Sequence, residues 1–205
     1  MKPNQYTLID LIRHGQPRGG SLYRGHEIDD PLSDKGWQQM RDAVRGKTMP
    51  WQHIISSPML RCQEFAKVLS DEHEISLSIE YDFREVGFGN WEGKTREQLQ
   101  ADNPQEYEDF YRDPVNCRPP GAEALGDFIQ RVTDAYAKQL ERHSGKHILI
   151  VAHAGVMRAI IGQALHTIPL GLYHIKVYNA GISRIQIDQH GGHLLHHNAR
   201  LRDMC

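Results

Sequence analysis

Two histidines in this sequence each follow a short apolar run, at positions where open α/β sheets bind their ligands. His14 comes directly after Arg13 and the run Tyr6–Ile12, and His153 follows the run His147–Val151. Such runs are typical of strands buried on both faces of a sheet. Because the carboxyl ends of parallel strands meet at one edge, we expect both histidines to converge there. A single histidine is more often structural, but two, each followed within two residues by a glycine, favour a site.

Arg61 and Glu85 are two further candidates for this site. Arg61 is predicted to lie in the first turn of a helix that begins near Pro58. A cation is poorly placed at a helix N-terminus unless an anion offsets it, so Arg61 suggests a bound anion. Glu85 lies in the aromatic and glycine-rich segment FREVGFGNWEG, where a carboxyl group is expected to be partly desolvated and to hold a proton. A salt-bridged loop glutamate is the alternative.

The combined charges of these groups fit a compact dianion such as a phosphoryl group. Arg13 and Arg61 can each bind phosphate oxygens through two N–H groups. One neutral imidazole can attack phosphorus while the other donates to an equatorial oxygen. A protonated Glu85 can donate its proton to the leaving alcohol and then activate water. This chemistry needs no metal ion, and the absence of a Gly-rich Walker loop argues against a nucleotide kinase.

The elements that position these residues alternate between strand and helix. We therefore expect an α/β fold, a three-layer sandwich with a mainly parallel central sheet flanked by helices. Strands are predicted to end at Ile12, Ser56 and Val151, and two more to pair around residues 191–192. Amphipathic helices are predicted over residues 32–45, 123–143 and 156–165, the first capped by Ser33 and ending near Gly46.

Two further segments are expected to shape the pocket for the leaving group. Residues 18–30 are rich in glycine and charge and follow a predicted strand end, so this loop could fold over a ligand. A solvated loop with incidental charge is the alternative. Residues 94–121 begin with the capping box Thr95–Gln98 and continue as one or two short helices.

Composition narrows the class of protein. The length of 205 residues fits a single domain over residues 1–205. The 24 basic and 26 acidic residues nearly cancel, so neither nucleic acid nor a membrane is expected as partner. No apolar run is long enough to span a bilayer, and the first residues lack the pattern of a signal peptide. Three cysteines without zinc-type spacing favour the cytoplasm.

Four histidines near the C-terminus, at positions 190, 193, 196 and 197, could be read as a metal site. Strand alternation places His196 and His197 on opposite faces, and no carboxylate or cysteine completes a ligand set. Structural or surface roles are therefore favoured.

The sequence resembles the histidine phosphatase superfamily, also called the phosphoglycerate mutase-like family, in four segments that occur in the family's order: LIRHGQP, SSPMLRC, FREVGFGNWEG and VAHAGVMRA. The resemblance implies a phosphohistidine intermediate and no cofactor. By resemblance, His14 is the nucleophile and Glu85 the proton donor. The rest of the implied phosphate pocket is Arg13, Arg61 and His153.

Other segments, YRGHEIDDPLS, PPGAEALGDF and HNARL, are similar to α-ribazole phosphatases of the cobalamin pathway. This resemblance suggests α-ribazole 5′-phosphate as substrate. The substrate-binding residues are expected to be Gln16, Arg24, Gly25 and Ala154, the last through its backbone N–H. Many members have an asparagine near position 20, where this chain has Gly20, so Arg18 or Arg24 could compensate.

Three alternatives remain open: a phosphoglycerate mutase, a broad-specificity sugar or metabolite phosphatase, and a non-catalytic phosphate-binding module. The chain lacks room for the longer insertions of true mutases, which favours a phosphatase. A binding module would not need both a nucleophile and an acid. A small phosphate ester is the expected partner, and a homodimer is conceivable.

Overall fold

A computed structural model describes residues 6–46 and 48–204, and these residues form six strands and six α-helices. The strands are β1 (Thr7–Arg13), β2 (His53–Ser56), β3 (Leu77–Ile79), β4 (His147–Ala152), β5 (Ile182–Asp188) and β6 (Gly191–Ala199). The α-helices are α1 (Asp34–Ala43), α2 (Leu60–His73), α3 (Arg96–Asp102), α4 (Pro104–Arg112), α5 (Leu125–Arg142) and α6 (Ala154–Ala164).

The strands form one sheet in the order β3-β2-β4-β1-β5-β6. The four strands from β3 to β1 run parallel, whereas β5 and β6 are antiparallel to their neighbours. The prediction of a mainly parallel sheet is therefore confirmed. In the register of β1 with β4, Arg13 pairs with Ala152. The next residues, His14 and His153, consequently leave the sheet side by side.

Helices cover both faces of the sheet, which confirms the three-layer arrangement. Along β4, Ile148 and Ile150 pack in the same buried cluster as helices α5 and α6. The intervening Leu149 and Val151 pack with helices α1 and α2. All four side chains are fully buried. Each such burial stabilises the fold by roughly 1.5–3 kcal/mol, so the continuous apolar run in the sequence reflects a strand covered on two sides.

A buried ion pair also holds the sheet together. The carboxylate of Asp10, in β1, is fully buried and accepts bonds from Arg184 Nε at 2.7 Å and Arg184 Nη2 at 2.9 Å. It also contacts His147 Nε2 at 2.9 Å and accepts from Trp51 Nε1 at 2.8 Å. Burial alone would raise the pKa of Asp10, but the bonds from Arg184 and His147 outweigh it and lower that pKa. Asp10 is therefore a buried carboxylate with its partners in place.

Several local predictions are confirmed. Ser33 caps α1, its hydroxyl accepting from the Gly36 N–H at 3.1 Å. The capping box joins Thr95 and Gln98 at the start of α3. Strands β5 and β6 form the antiparallel pair predicted around residues 191–192.

Several predicted boundaries are wrong by one to three residues. Helix α1 ends at Ala43 and is capped by Val44, so Gly46 does not end it. Helix α2 begins after Met59, which places Pro58 outside its first turn. Strands β1 and β4 each extend one residue further than predicted.

The two long C-terminal helices are also displaced from their predicted bounds. Helix α5 begins at Leu125 because Glu123 instead points its carboxylate at the Gly87 N–H, at 3.1 Å, and at Arg131. Helix α6 begins at Ala154, so His153 occupies its N-cap position. The histidine therefore lies closer to the helix terminus than the sequence indicated.

No helix within the described residues is long and apolar enough to cross a lipid bilayer.

Candidate active site

His14 lies at the end of β1 with its ring buried and fixed. Its backbone N–H donates to the Ala152 carbonyl at 3.0 Å, and its Nδ1 lies 2.8 Å from the Gly15 carbonyl. A carbonyl oxygen can only accept, so Nδ1 carries the hydrogen and Nε2 keeps a lone pair. Burial, followed by the charges of Arg13 and Arg61, lowers the pKa of His14 well below its ordinary value. The ring is therefore neutral, with a nucleophilic Nε2.

His153 lies beside His14, as the register of β1 and β4 requires. The two ring centroids are 5.2 Å apart, with an interplanar angle of 63°. The His153 side chain is fully buried, and its Nε2 lies 2.7 Å from Ser57 Oγ. Burial, followed by the charge of Arg61, lowers the pKa of His153 well below its ordinary value. Two neutral imidazoles thus share one end of the sheet.

Arg13 and Arg61 each keep one N–H group without a partner. Arg13 Nη1 donates to the Val177 carbonyl at 2.7 Å, and Arg61 Nη2 donates to the Gly25 carbonyl at 2.8 Å. The Nε atoms of both arginines are buried and have no hydrogen-bond partner among the described residues. Burial lowers the pKa of Arg13 to about 10, opposed by the charge of Glu85, so Arg13 stays charged at neutral pH. Both arginines line one cavity, where an anion could pair with their positive charge.

A carboxylate of the protein lies at the N-terminus of α2, next to Arg61. Asp29 Oδ1 accepts from the Leu60 N–H at 2.7 Å and lies 3.8 Å from Arg61 Nη1. A carboxylate of the chain itself therefore already lies at this helix N-terminus and offsets part of the charge. The presence of Arg61 in the lining of a cationic cavity supports a bound anion more directly than its place in the helix does.

The carboxylate of Glu85 faces the start of α6. Its Oε2 accepts from the Gly155 N–H at 3.2 Å, and its Oε1 accepts from the Val86 N–H at 3.0 Å. A Cβ atom on Gly155 would lie only 2.2 Å from Glu85 Oε1. Gly155 is therefore needed for this close approach, and the carboxylate is brought to the same sheet edge as both histidines.

The backbone of Glu85 is held by residues that sequence reasoning missed. The Glu85 carbonyl accepts from Arg131 Nη2 at 3.2 Å and contacts His26 Nδ1 at 3.0 Å. Arg131 Nη1 also donates to the carbonyls of Asp82 and Arg84, at 2.6 and 3.0 Å. No signal in the sequence links α5 to this turn, because the contacts span more than 45 positions along the chain.

An open cavity of about 590 Å³ lies over His14. Its lining includes all four residues predicted to bind substrate: Gln16, Arg24, Gly25 and Ala154. Cationic side chains dominate the lining: Arg13, Arg24, Lys35, Arg61, Arg96 and Arg158. Glu85 is the sole carboxylate that the described residues contribute to this lining. The cavity is thus electrostatically suited to an anionic ligand.

Arg24 has a structural role in the loop that covers the site. Its Nε pairs with Asp30 at 2.9 Å, its Nη1 donates to the Gly20 carbonyl at 2.8 Å, and its Nη2 donates to the Arg18 carbonyl. Arg18 itself is not part of the cavity lining. Gly20 does line the cavity, and no described atom lies within 4 Å of the position of its missing Cβ. Neither arginine therefore fills the space at position 20.

Sequence reasoning missed four cavity residues that come from other segments: Lys35, Gln39, Arg158 and Asn179. Arg96 and Tyr111 also line the cavity, and both lie in the segment 94–121 that was expected to shape it. Arg158 could have been found, since it lies four residues after Ala154 on the same face of α6. Asn179 donates to the His14 carbonyl at 3.1 Å from a loop with no sequence signal.

The histidine-rich C-terminal segment does not assemble a metal site. Among the described residues, no group of three or more potential metal-ligating side chains converges. His197 instead bridges Ser183 Oγ, at 2.9 Å, and the Lys176 carbonyl, at 2.7 Å.

The family match assigns this fold and its paired histidines to a superfamily of phosphatases and mutases. Residues 9–200 match the family profile of the histidine phosphatase superfamily (branch 1), and the chain belongs to this superfamily.

Individual relatives carry different names at similar identity. The chain is 26% identical to an adenosylcobalamin/α-ribazole phosphatase of Escherichia coli (strain K12) over 184 residues, covering 87% of this chain and 89% of that protein. It is 28% identical to phosphoglycerate mutase-like protein 4 of Arabidopsis thaliana, covering 78% of this chain and 71% of that protein. The crystal structure of the α-ribazole phosphatase from Shigella flexneri superposes with a TM-score of 0.81 at 26% identity, covering 94% and 96% of the two chains.

Proposed function

We propose that this protein is a phosphomonoesterase that hydrolyses a small phosphate ester through a phosphohistidine intermediate on His14. One observation carries the proposal. Arg13 and Arg61 line the same cavity as His14, whose neutral ring carries its hydrogen on Nδ1 and keeps a lone pair on Nε2. Guanidinium groups around a neutral imidazole support an anionic ligand with several acceptor oxygens.

In the first step, His14 Nε2 attacks phosphorus and the bond between phosphorus and the ester oxygen breaks. Arg13 and Arg61 hold the phosphoryl oxygens, and His153 donates a hydrogen bond to one of them. Glu85 donates its proton to the departing alkoxide, which leaves as the alcohol.

In the second step, water attacks the phosphohistidine. The ionised Glu85 accepts a proton from this water, and the bond between phosphorus and Nε2 breaks. Inorganic phosphate leaves, His14 returns to its neutral form and Glu85 is again protonated. The positive charge comes from the arginines, so the proposed route uses no metal ion.

We propose α-ribazole 5′-phosphate as the first substrate to test. The named relatives and the segments similar to α-ribazole phosphatases support it. The mutase-like relative supports a second candidate, the isomerisation of 3-phosphoglycerate, which would need a phosphorylated primer and release no phosphate.

The deciding experiment is a panel of phosphate monoesters that includes α-ribazole phosphate and 3-phosphoglycerate, with released phosphate as the readout. His14→Ala should abolish both turnover and the labelling of the protein by a radiolabelled ester. His190→Ala, in an exposed turn beside the start of β1 and so at the opposite end of that strand from His14, is the matched control. Labelling that persists in His14→Ala, or inhibition by EDTA that added metal reverses, would overturn the proposal.

A further inference from the structure

The Ser57 hydroxyl lies between a backbone donor and the ring of His153. Ser57 is fully buried immediately after β2, and its Oγ is 2.7 Å from His153 Nε2. The Met59 N–H donates to the same Oγ at 3.3 Å. A hydroxyl group has one hydrogen and two lone pairs. Because the Met59 N–H can only donate, it occupies one lone pair, so Nε2 meets either the hydroxyl hydrogen or the second lone pair.

Donation from the hydroxyl to Nε2 would fix the tautomer of His153. Burial, followed by the charge of Arg61, lowers the pKa of His153, so its ring is neutral and carries a single N–H. If Nε2 accepts the hydroxyl hydrogen, the ring hydrogen must be on Nδ1. The thiol of Cys62 donates to the Ala152 carbonyl at 3.4 Å, and its sulfur lies 3.7 and 3.9 Å from Nε2 and Nδ1. Because these two distances are nearly equal, the thiol does not determine which ring nitrogen carries the hydrogen.

We propose that Ser57 is a positioning residue that holds His153 as the Nδ1–H tautomer. With Nε2 engaged, Nδ1 is the ring's remaining polar atom, and in the proposed phosphoryl transfer it is the atom that would meet a phosphoryl oxygen. The Nδ1–H tautomer presents a donor there, whereas the opposite tautomer would present a lone pair to an oxygen lone pair. Free histidine prefers the Nε2–H form, so the protein has to impose the productive one.

The catalytic part of this inference rests on the proposed phosphoryl transfer, but the tautomer itself does not. It is measured on the ligand-free protein by ¹⁵N NMR of the imidazole nitrogens, with His153 assigned by comparison with His153→Asn. The wild-type spectrum should show a protonated Nδ1 and an unprotonated Nε2. An Nε2–H form in the wild-type protein would overturn the assignment, even if Ser57→Ala fails to fold.

Kinetics then test the consequence for catalysis. Ser57→Ala should shift the ring toward the Nε2–H form and lower kcat between about 10- and 100-fold, with KM changed by less than about twofold. The control is Ser56→Ala, which also removes a buried hydroxyl, one that donates to the Ser57 carbonyl at 2.9 Å and does not contact His153. Ser56→Ala should keep the wild-type tautomer and rate.

The outcomes separate the two proposals. A protein with the Nδ1–H tautomer but no phosphatase activity would refute the proposed function and leave the tautomer assignment standing. An active phosphatase in which Ser57→Ala shifts the tautomer without lowering kcat would refute the positioning role. An equal loss of rate in Ser56→Ala and Ser57→Ala would also refute it, because a general packing defect would then explain both.

Discussion

Gly155 allows the proposed acid to reach the site, and Gly155→Ala should displace that acid. A Cβ on Gly155 would lie 2.2 Å from Glu85 Oε1, whereas ordinary contact begins at 3.4 Å. The carboxylate would therefore move by at least about 1.2 Å, the difference between these distances. The same Cβ would also lie 3.1 Å from Phe128 Cζ, which limits how far the helix can shift instead.

Gly155→Ala is expected to lower the catalytic rate strongly and to change the stability of the fold little. A displacement of about 1 Å in a reacting group costs about 100-fold in rate, so kcat for an alkyl phosphate should fall by about that factor. An aryl ester, whose leaving group needs little protonation, should lose less than about fivefold. The displaced atom is the end of a flexible side chain, and alanine is favoured over glycine in a helix by about 0.5–1 kcal/mol. The melting temperature should therefore stay level or rise.

Steady-state kinetics with one alkyl and one aryl ester, together with thermal unfolding, test this reasoning. Gly126→Ala is the matched control, since Gly126 is also the second residue of its helix and has no described atom within 4 Å of its Cβ position. Alkyl turnover within twofold of wild type in Gly155→Ala would refute the positioning of Glu85. Equal losses with both esters would refute its role as acid.

Three further predictions concern stability, the empty space at position 20 and pH. Asp10→Asn should destabilise the fold by about 3–5 kcal/mol at pH 7, because it leaves Arg184 facing a neutral group. The pKa of Asp10 is lowered in the fold, so its contribution to the free energy of unfolding is present above the unfolded pKa of about 3.9 and is lost as pH falls. In urea unfolding, the difference in free energy of unfolding between wild type and Asp10→Asn should therefore shrink by pH 3. A difference that stays constant with pH would contradict this. Gly20→Asn should tighten inhibition by inorganic phosphate about tenfold, whereas Gly20→Ala, which lacks the amide, should not. Because burial lowers the pKa of His14, kcat/KM should hold below the ordinary histidine pKa of about 6.5 as pH falls, and an acid limb at or above that pH would contradict a neutral nucleophile.

The pairing of His14 with His153 could be predicted because the signal is local. A continuous apolar run indicates a doubly covered strand, and a strand has only one carboxyl end. Two such runs in parallel neighbouring strands then bring their following residues together. In the tertiary structure, Arg13 pairs with Ala152 in the register of β1 and β4, and this pairing places His14 next to His153.

The role of Arg61 was only partly predictable. Its place in the first turn of a helix follows from local sequence, and the structure agrees. The carboxylate of Asp29, 31 positions before Leu60, could not be assigned to that helix terminus from a loop sequence. Charge balance at a helix end depends on which distant side chain reaches it.

The sequence by itself determined the alternation of strands and helices, the faces they bury and the residue types at the strand ends, because these follow from periodicity and side-chain chemistry within a few residues. Only the tertiary structure decided two hydrogen-bond contacts of the site residues: Ser57 with His153, and Gly155 with Glu85. The physical reason is that hydrogen bonds act over about 3 Å, and proximity across 70 to 96 positions of chain is a property of the packed fold.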